Sequence, residues 1–207
     1  MPRLLIATTN KGKAREIAEL LAETGWECVT PSDVGLGWIE VIETARSYLE
    51  NATHKAVSHA AASGLPTLAD DSGLEVDALD GRPGVLSARY GGASMRSDAE
   101  RTARLLREVD GVPAGRRGAR FRAVVALAVP SGRTFVREGL LEGRIAESPR
   151  GTSGFGYDPI LELPDGRTVA ELGAEKQQIS HRTVAVRAMI DVLKSLEKSY
   201  GQPPFRS

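Results

Sequence analysis

The run Thr8-Thr9-Asn10-Lys11-Gly12-Lys13 places hydroxyls, an amide, a glycine and two cations in one short stretch. A polar, glycine-containing turn that opens a helix points backbone N–H groups at an anion, and the helix dipole adds positive potential. With Lys11 and Lys13 beside those donors, the stretch reads as a phosphate cradle. It is not a Walker A loop, because Ala7 stands five before Gly12 where Gly is required, and Ala14 follows Lys13. The plainer alternative is a capped helix start with solvated lysines, and this stretch taken alone favours it.

A second group is Asp70-Asp71-Ser72-Gly73, just past a short apolar run. Adjacent carboxylates on extended backbone point to opposite faces, so one can bind a metal while the other is held structurally. Magnesium takes one or two carboxylates and completes its shell with water and phosphate oxygens. The same four residues also make an ordinary polar turn. Glu40 and Glu43 could add a ligand, although solvation is the default for a loop glutamate. Asn51 and Lys55, four apart, share a helix face, from which the lysine could reach a ligand over the first loop or simply face water.

Gly154-Phe155-Gly156-Tyr157-Asp158-Pro159 joins a permissive backbone to two aromatics and a carboxylate. Pro159 occupies the place of the third glycine of a dinucleotide fingerprint, so a base-stacking platform is the better reading. Lys176 and Ser180-His181-Arg182 follow at a helix start, again suited to an anion. His54 and His59 have no such setting and read as surface or packing residues. No serine–histidine–acid or cysteine–histidine set is legible, which gives covalent catalysis little support.

These groups need elements to hold them. Leu4 to Thr8 predicts a buried strand, and Ile17, Leu20 and Leu21 predict a helix over Lys13 to Thr24, stopped by Gly25. Glu27 to Thr30 extends, and an Ala-rich helix runs from about Ala45 to Ser63, with Gly64 as C-cap. Pro66 to Ala69 is a brief strand leading into the paired aspartates. Leu74 to Ala78 extends, and Gly81-Arg82-Pro83-Gly84 turns. Ser97 to Val109 is an amphipathic helix with Leu105, Leu106 and Val109 inward. Phe121 to Val129 and Thr134 to Leu141 pair as antiparallel strands. Ser180 caps a last helix whose stripe is Val184, Met189, Ile190, Leu193 and Leu196. The tail at 200–207 reads as frayed. Strands interleaved with helices, plus a late hairpin, predict an α/β fold on a mixed sheet.

Bulk properties narrow the class. The 207 residues suit one domain, or one with a smaller lobe, and basic and acidic residues balance at 27 each. That balance supplies no global field for nucleic acid or an anionic membrane. Cys28 is alone, which excludes an intrachain disulfide and argues against a thiolate zinc cluster. The first apolar run is too short for a signal sequence, and no stretch approaches a membrane span, so a cytoplasmic protein is expected.

Together the segments resemble the inosine triphosphate pyrophosphatase family, the XTP/dITP diphosphatases that act on XTP, ITP and dITP. The resemblance is carried by Ala7 through Lys13, Glu50-Asn51-Ala52 with Lys55-Ala56, and Ala69-Asp70-Asp71-Ser72-Gly73-Leu74. It continues through Gly81-Arg82-Pro83-Gly84-Val85, Ser87-Ala88-Arg89-Tyr90, Gly154 through Pro159, and Glu175-Lys176 to Arg182. The resemblance implies a two-lobed α/β fold, a central mixed sheet flanked by helices in a single domain over 1–207. It places the active-site cleft between the lobes, and implies a homodimer, magnesium as cofactor, and cleavage to monophosphate and pyrophosphate.

Roles follow position by position. Thr8, Thr9, Asn10, Lys11, Gly12 and Lys13, with Lys55, would hold the triphosphate. Asp71 would be the general base and a metal ligand, Glu43 a second ligand, and Ser72 would touch the substrate. Phe155, Gly156, Tyr157 and Asp158, with Lys176, His181 and Arg182, would shape the nucleoside pocket. A donor such as Arg182 would favour a 6-oxo purine edge over the 6-amino edge of adenine. The sequence departs from the family pattern at Glu43-Thr44-Ala45-Arg46-Ser47-Tyr48, where the family reads Glu-Thr-Gly-x-Thr-Phe, and at Ser153, where glycine is usual. The competing readings are a pyrophosphatase for modified pyrimidine nucleotides and a nucleotide sensor without turnover. An RNA-binding module is weighed against by zero net charge and 5% aromatics.

Overall fold

The computed structural model describes residues 1–39, 41–42 and 46–200. Among these the chain runs β1 (Arg3–Ile6), α1 (Lys11–Leu21), β2 (Glu27–Val29), α2 (Tyr48–Ser63), β3 (Thr67–Val76), α3 (Asp98–Glu108), β4 (Gly118–Ala128) and β5 (Thr134–Ile145). It closes with β6 (Leu161–Glu162), α4 (Lys176–Ile179), α5 (His181–Arg187) and α6 (Ile190–Tyr200). The strands form one sheet in the order β2-β1-β3-β4-β5-β6. β1 lies parallel to β2 and β3, while β5 and β6 are antiparallel. The sheet is therefore mixed, and the expected α/β class holds. Residues 43–45 and 201–207 lie outside the described residues, so the expected helix start at Ala45 and the expected tail are not located; the helix is described from Tyr48.

Two compact units divide the chain. The first comprises Met1–Asp71, Val124–Glu138 and Arg182–Ser207, and the second Ser72–Ala123 and Gly139–His181. In the first, the apolar run of β1 is wholly buried from Leu4 to Ile6. Its backbone pairs with β3 and the residue before it, Leu5 N–H donating to Pro66 C=O at 2.9 Å and Ala7 N–H to Leu68 C=O at 2.8 Å. Trp26, 3% exposed, donates its indole N–H to Leu193 C=O and so ties the entry of β2 to α6. In the second unit, Leu74, Val76, Leu105, Val109, Phe121, Tyr157 and Ile160 belong to one buried cluster. The amphipathic stripe of α3 thus packs as its periodicity predicts. Ser97 and Glu100 close a capping box at its start.

Three expectations are corrected. The aspartate pair does not follow a strand that ends at Ala69; a single strand runs from Thr67 to Val76 straight through Asp70, Asp71, Ser72 and Gly73. Polar residues persist in this buried strand because cations compensate their charge. The last helix is two helices, α5 and α6. Arg137 Nε donates to Ala188 C=O at 3.0 Å, capturing a carbonyl that a continuous helix would use internally. Val184 faces out at 44% exposed, whereas Ala185, Val186 and Met189 are buried. Arg182 is also buried, which turns that face of α5 inward.

Cys28 lies half-buried in β2, and burial pushes its thiol up to about 11. At pH 8 the thiolate is then roughly one part in a thousand, against about a quarter for an ordinary cysteine. Iodoacetamide should modify the native chain roughly 200-fold more slowly than the urea-unfolded chain. Equal rates in the two states would show the thiol to be unperturbed.

Candidate active site

The polar centre of the first unit is assembled from four elements. β3 supplies Asp70 and Asp71, which are 1% and 5% exposed. The start of α1 supplies Lys13, whose Nζ lies 3.1 Å from Asp70 Oδ2. α2 supplies Asn51 and Lys55, one turn apart on one face. Lys55 Nζ donates to Asp70 C=O at 2.7 Å and stands 3.9 Å from Asp71 Oδ1. Asn51 Nδ2 donates to Asp71 Oδ2 at 2.9 Å. The head of α5 supplies Arg182, whose Nε is 3.2 Å from Asp70 Oδ2 and whose Nη1 meets Glu16 of α1. Lys13, Lys55 and Asp71 therefore share one cluster.

The electrostatics follow from this packing. Burial alone would raise the Asp70 carboxyl, but Lys13, Arg182 and Lys55 outweigh it and hold the group well below the usual carboxylate range. Burial pulls the Lys13 ammonium down, opposed by Asp70 and reinforced by Arg182 and Lys55 as like charges. Asp70 is thus a carboxylate ringed by three cations. Asp71, by contrast, accepts from the Asn51 amide and lies near Lys55. This division of labour matches the opposite faces of adjacent strand residues.

Asn10 caps α1: its Oδ1 accepts from Gly12 N–H at 2.9 Å and Lys13 N–H at 3.2 Å. Thr8 Oγ1 accepts from Asn10 N–H. Thr9, Asn10 and Lys11 are exposed, while Lys13 is drawn in to Asp70. The first loop is thus both a capped helix start and the carrier of one buried cation. His59 packs in α2 with Nδ1 2.9 Å from Lys55 C=O. Glu43 lies outside the described residues, as does Glu40. Among the described residues no group of three or more His, Cys, Asp or Glu forms a metal cage.

The second unit holds the aromatic loop. Asp158, 3% exposed, accepts at Oδ2 from Phe155 N–H and from Lys176 Nζ, each at 2.9 Å. Lys176 Nζ also lies 4.5 Å from the centroid of the Phe155 ring, a cation–π contact. Gly154 is required here, since it takes φ +85° and an added Cβ would fall 2.0 Å from Asp158 Oδ2. Tyr157 donates to Ser87 C=O at 2.9 Å, and burial pushes its phenol upward. Ser72 is half-buried in β3. His181 stacks on Phe121 with centroids 4.9 Å apart.

Arg182 was expected in the nucleoside pocket with Lys176. Two of its nitrogens meet Asp70 and Glu16. Sequence reasoning also passed over Glu16, Asp98 and Thr102. Glu16 is one helical turn from Lys13, a spacing that could have flagged it. Asp98 looks like an ordinary first-turn acid of α3, yet its Oδ2 accepts from Gly156 N–H at 2.7 Å.

Comparison with known proteins agrees with this architecture. A family model described as the Ham1 family matches residues 4–192. A dITP/XTP pyrophosphatase of Symbiobacterium thermophilum is 49% identical over 195 residues, covering 94% of this chain and 96% of its own. One from Geobacillus kaustophilus is 50% identical over 188 residues, covering 90% and 91%. Among solved structures, a HAM1 protein from Coxiella burnetii superposes with a TM-score of 0.85 at 37% identity, covering 94% of this chain and 100% of that one. The dITP/XTP pyrophosphatase of Mycobacterium abscessus gives 0.74 at 44% identity, covering 92% and 98%. The motifs, the mixed sheet and these near-full-length matches lead to one assignment: the chain belongs to the Ham1 family.

Proposed function

We propose that this chain hydrolyses non-standard purine nucleoside triphosphates, namely XTP, ITP and dITP, to the monophosphate and pyrophosphate, clearing them from the nucleotide pool. The reading is supported by relatives named dITP/XTP pyrophosphatase at close to half identity. The observation that carries it is the meeting of Lys13, Lys55 and Asp71 around Asp70 in the first unit.

Lys13 and Lys55, with the Thr8–Lys13 loop, neutralise the polyphosphate and the charge that grows on departing pyrophosphate. Asp71 orients the attacking water and takes its proton. Asn51 keeps that carboxylate in place by donating to Oδ2. Arg182, which meets Asp70 and Glu16, is also the proposed donor to a 6-oxo purine edge. In the second unit Phe155 offers a stacking face, and Asp158 and Lys176 fix its loop for the nucleoside.

Magnesium is the proposed cofactor. The donor set fits it: Asp71 offers hard oxygens without a protein cage, and magnesium keeps water and phosphate oxygens in its shell. Asp71 would hold the ion, with Glu43 as its second ligand. When bound, the ion supplies Lewis-acid neutralisation of phosphate charge. Because Lys13 and Lys55 also face Asp70 and Asp71, they offset only part of the polyphosphate charge, and a divalent cation offsets more of it. The enzyme is proposed to act as a cytoplasmic homodimer; no described helix is long and apolar enough to cross a membrane.

The deciding assay is product analysis across ITP, dITP, XTP, dATP and modified pyrimidine triphosphates, with magnesium and with chelator. Pyrophosphate, not orthophosphate, is expected from the 6-oxo purines, with activity lost on chelation. kcat/KM for dITP should exceed that for dATP by at least about tenfold, the discrimination expected of base-edge hydrogen bonds. Equal values for the two, or binding without turnover, would overturn the proposal.

A further inference from the structure

The loop bearing Phe155 has little stiffness of its own. Gly151, Gly154 and Gly156 all take positive φ, at 78°, 85° and 64°. Glycine-rich backbone loses more conformational freedom on ordering than any other, so a ligand that met this loop loose would have to order it. The fold orders it in advance from two directions. Asp158 and Lys176 hold the Phe155 side. On the other side both backbone groups of Gly156 are taken by α3: its N–H donates to Asp98 Oδ2 at 2.7 Å, and its C=O accepts from Thr102 Oγ1 at 3.4 Å.

Asp98 and Thr102 are four apart and so stand on one face of the helix. The Asp98 carboxylate is itself held, because Arg101 Nη2 takes its other oxygen. Beside this tie lies a cavity of about 610 Å³, lined by Thr102, Leu106, Pro149, Phe155 and Pro159 among others. A loop released from α3 has that space to move into.

We infer that Asp98 is a positioning residue for nucleoside recognition, acting through the Gly156 backbone to hold the Phe155 ring ready for a purine. The inference rests on the proposed pyrophosphatase reading. Its consequence is an effect on binding of the nucleoside portion, with the phosphate end untouched. Loss of one charge-assisted hydrogen bond and of the order it imposes should weaken nucleotide binding about ten- to hundredfold.

The experiment compares the parent with Asp98→Ala, Asp98→Asn and Thr102→Val, measuring KM and kcat for dITP and Ki for inorganic pyrophosphate. Asp98→Ala should raise KM for dITP at least about tenfold, with kcat and the pyrophosphate Ki within about twofold of the parent. Asp98→Asn keeps an oxygen that accepts from Gly156 N–H, so its KM should return to within about threefold; Thr102→Val should fall between. The inference fails if Asp98→Ala leaves KM unchanged, if Asp98→Asn is as impaired as Asp98→Ala, or if pyrophosphate Ki moves together with KM, the mark of general damage. A parent that releases no pyrophosphate from dITP brings down the functional reading and this role with it. That outcome is distinct, because failure of the Asp98 role alone leaves an active parent.

Discussion

Replacement of Asp71 by Asn is expected to lower kcat for dITP by roughly 10²–10⁴, the span of a lost general base. The substitution is close to isosteric, and the amide oxygen can still accept from Asn51 Nδ2, which now holds Asp71 Oδ2 at 2.9 Å. Neighbouring packing should survive. What disappears is the negative charge that faces Lys55 Nζ at 3.9 Å and that would take a proton or a metal. The loss should therefore appear in single-turnover pyrophosphate release at saturating dITP and magnesium, with little change in melting temperature. A variant that turns over within threefold of the parent would take Asp71 out of the mechanism.

The same change one residue earlier should act on the fold. Asp70 is fully buried and is the shared partner of Lys13 and Arg182. Removing one partner of a buried ionic group leaves charge without compensation and costs about 3–5 kcal/mol. Arg182 keeps Glu16, which places Asp70→Asn toward the lower end of that range. Urea unfolding at pH 7 without divalent metal would read this as a lower midpoint.

The pH dependence has a definite sign. Burial works to raise the Asp70 carboxyl, but the cations around it hold the folded-state value far below the unfolded one. Its stabilisation is thus fully present above the unfolded value, about 3.9, and is lost as pH falls from there toward the folded value. The asparagine variant lacks this component. The gap between parent and variant should accordingly narrow between pH 5 and pH 3; a gap constant over that interval would mean that Asp70 is not the ionised partner of these cations.

Much of the candidate site was legible because its residues come in local strings. Thr8 through Lys13 and the Asn51–Lys55 pair each have a spacing that implies a shared loop or helix face, and backbone periodicity is a local property. The α3 stripe and its Ser97 cap were legible for the same reason. Long-range pairing was not. Nothing near Arg182 in sequence indicates that it meets Asp70 and Glu16, more than a hundred positions away. Nor does anything near Asp98 point to Gly156, which it holds across 58 positions.

What the sequence determined by itself was therefore the family, the mixed α/β class and the residue types available for phosphate, metal and base. Tertiary structure alone decided which of these groups are partners. It put Asp70 in a buried strand rather than a turn, because three cations arriving from separate elements lower the energy of its charge there. It also broke the last helix where Arg137 takes a carbonyl. Propensity and periodicity act over one or two turns, whereas compensation of a buried charge depends on which distant chains meet it.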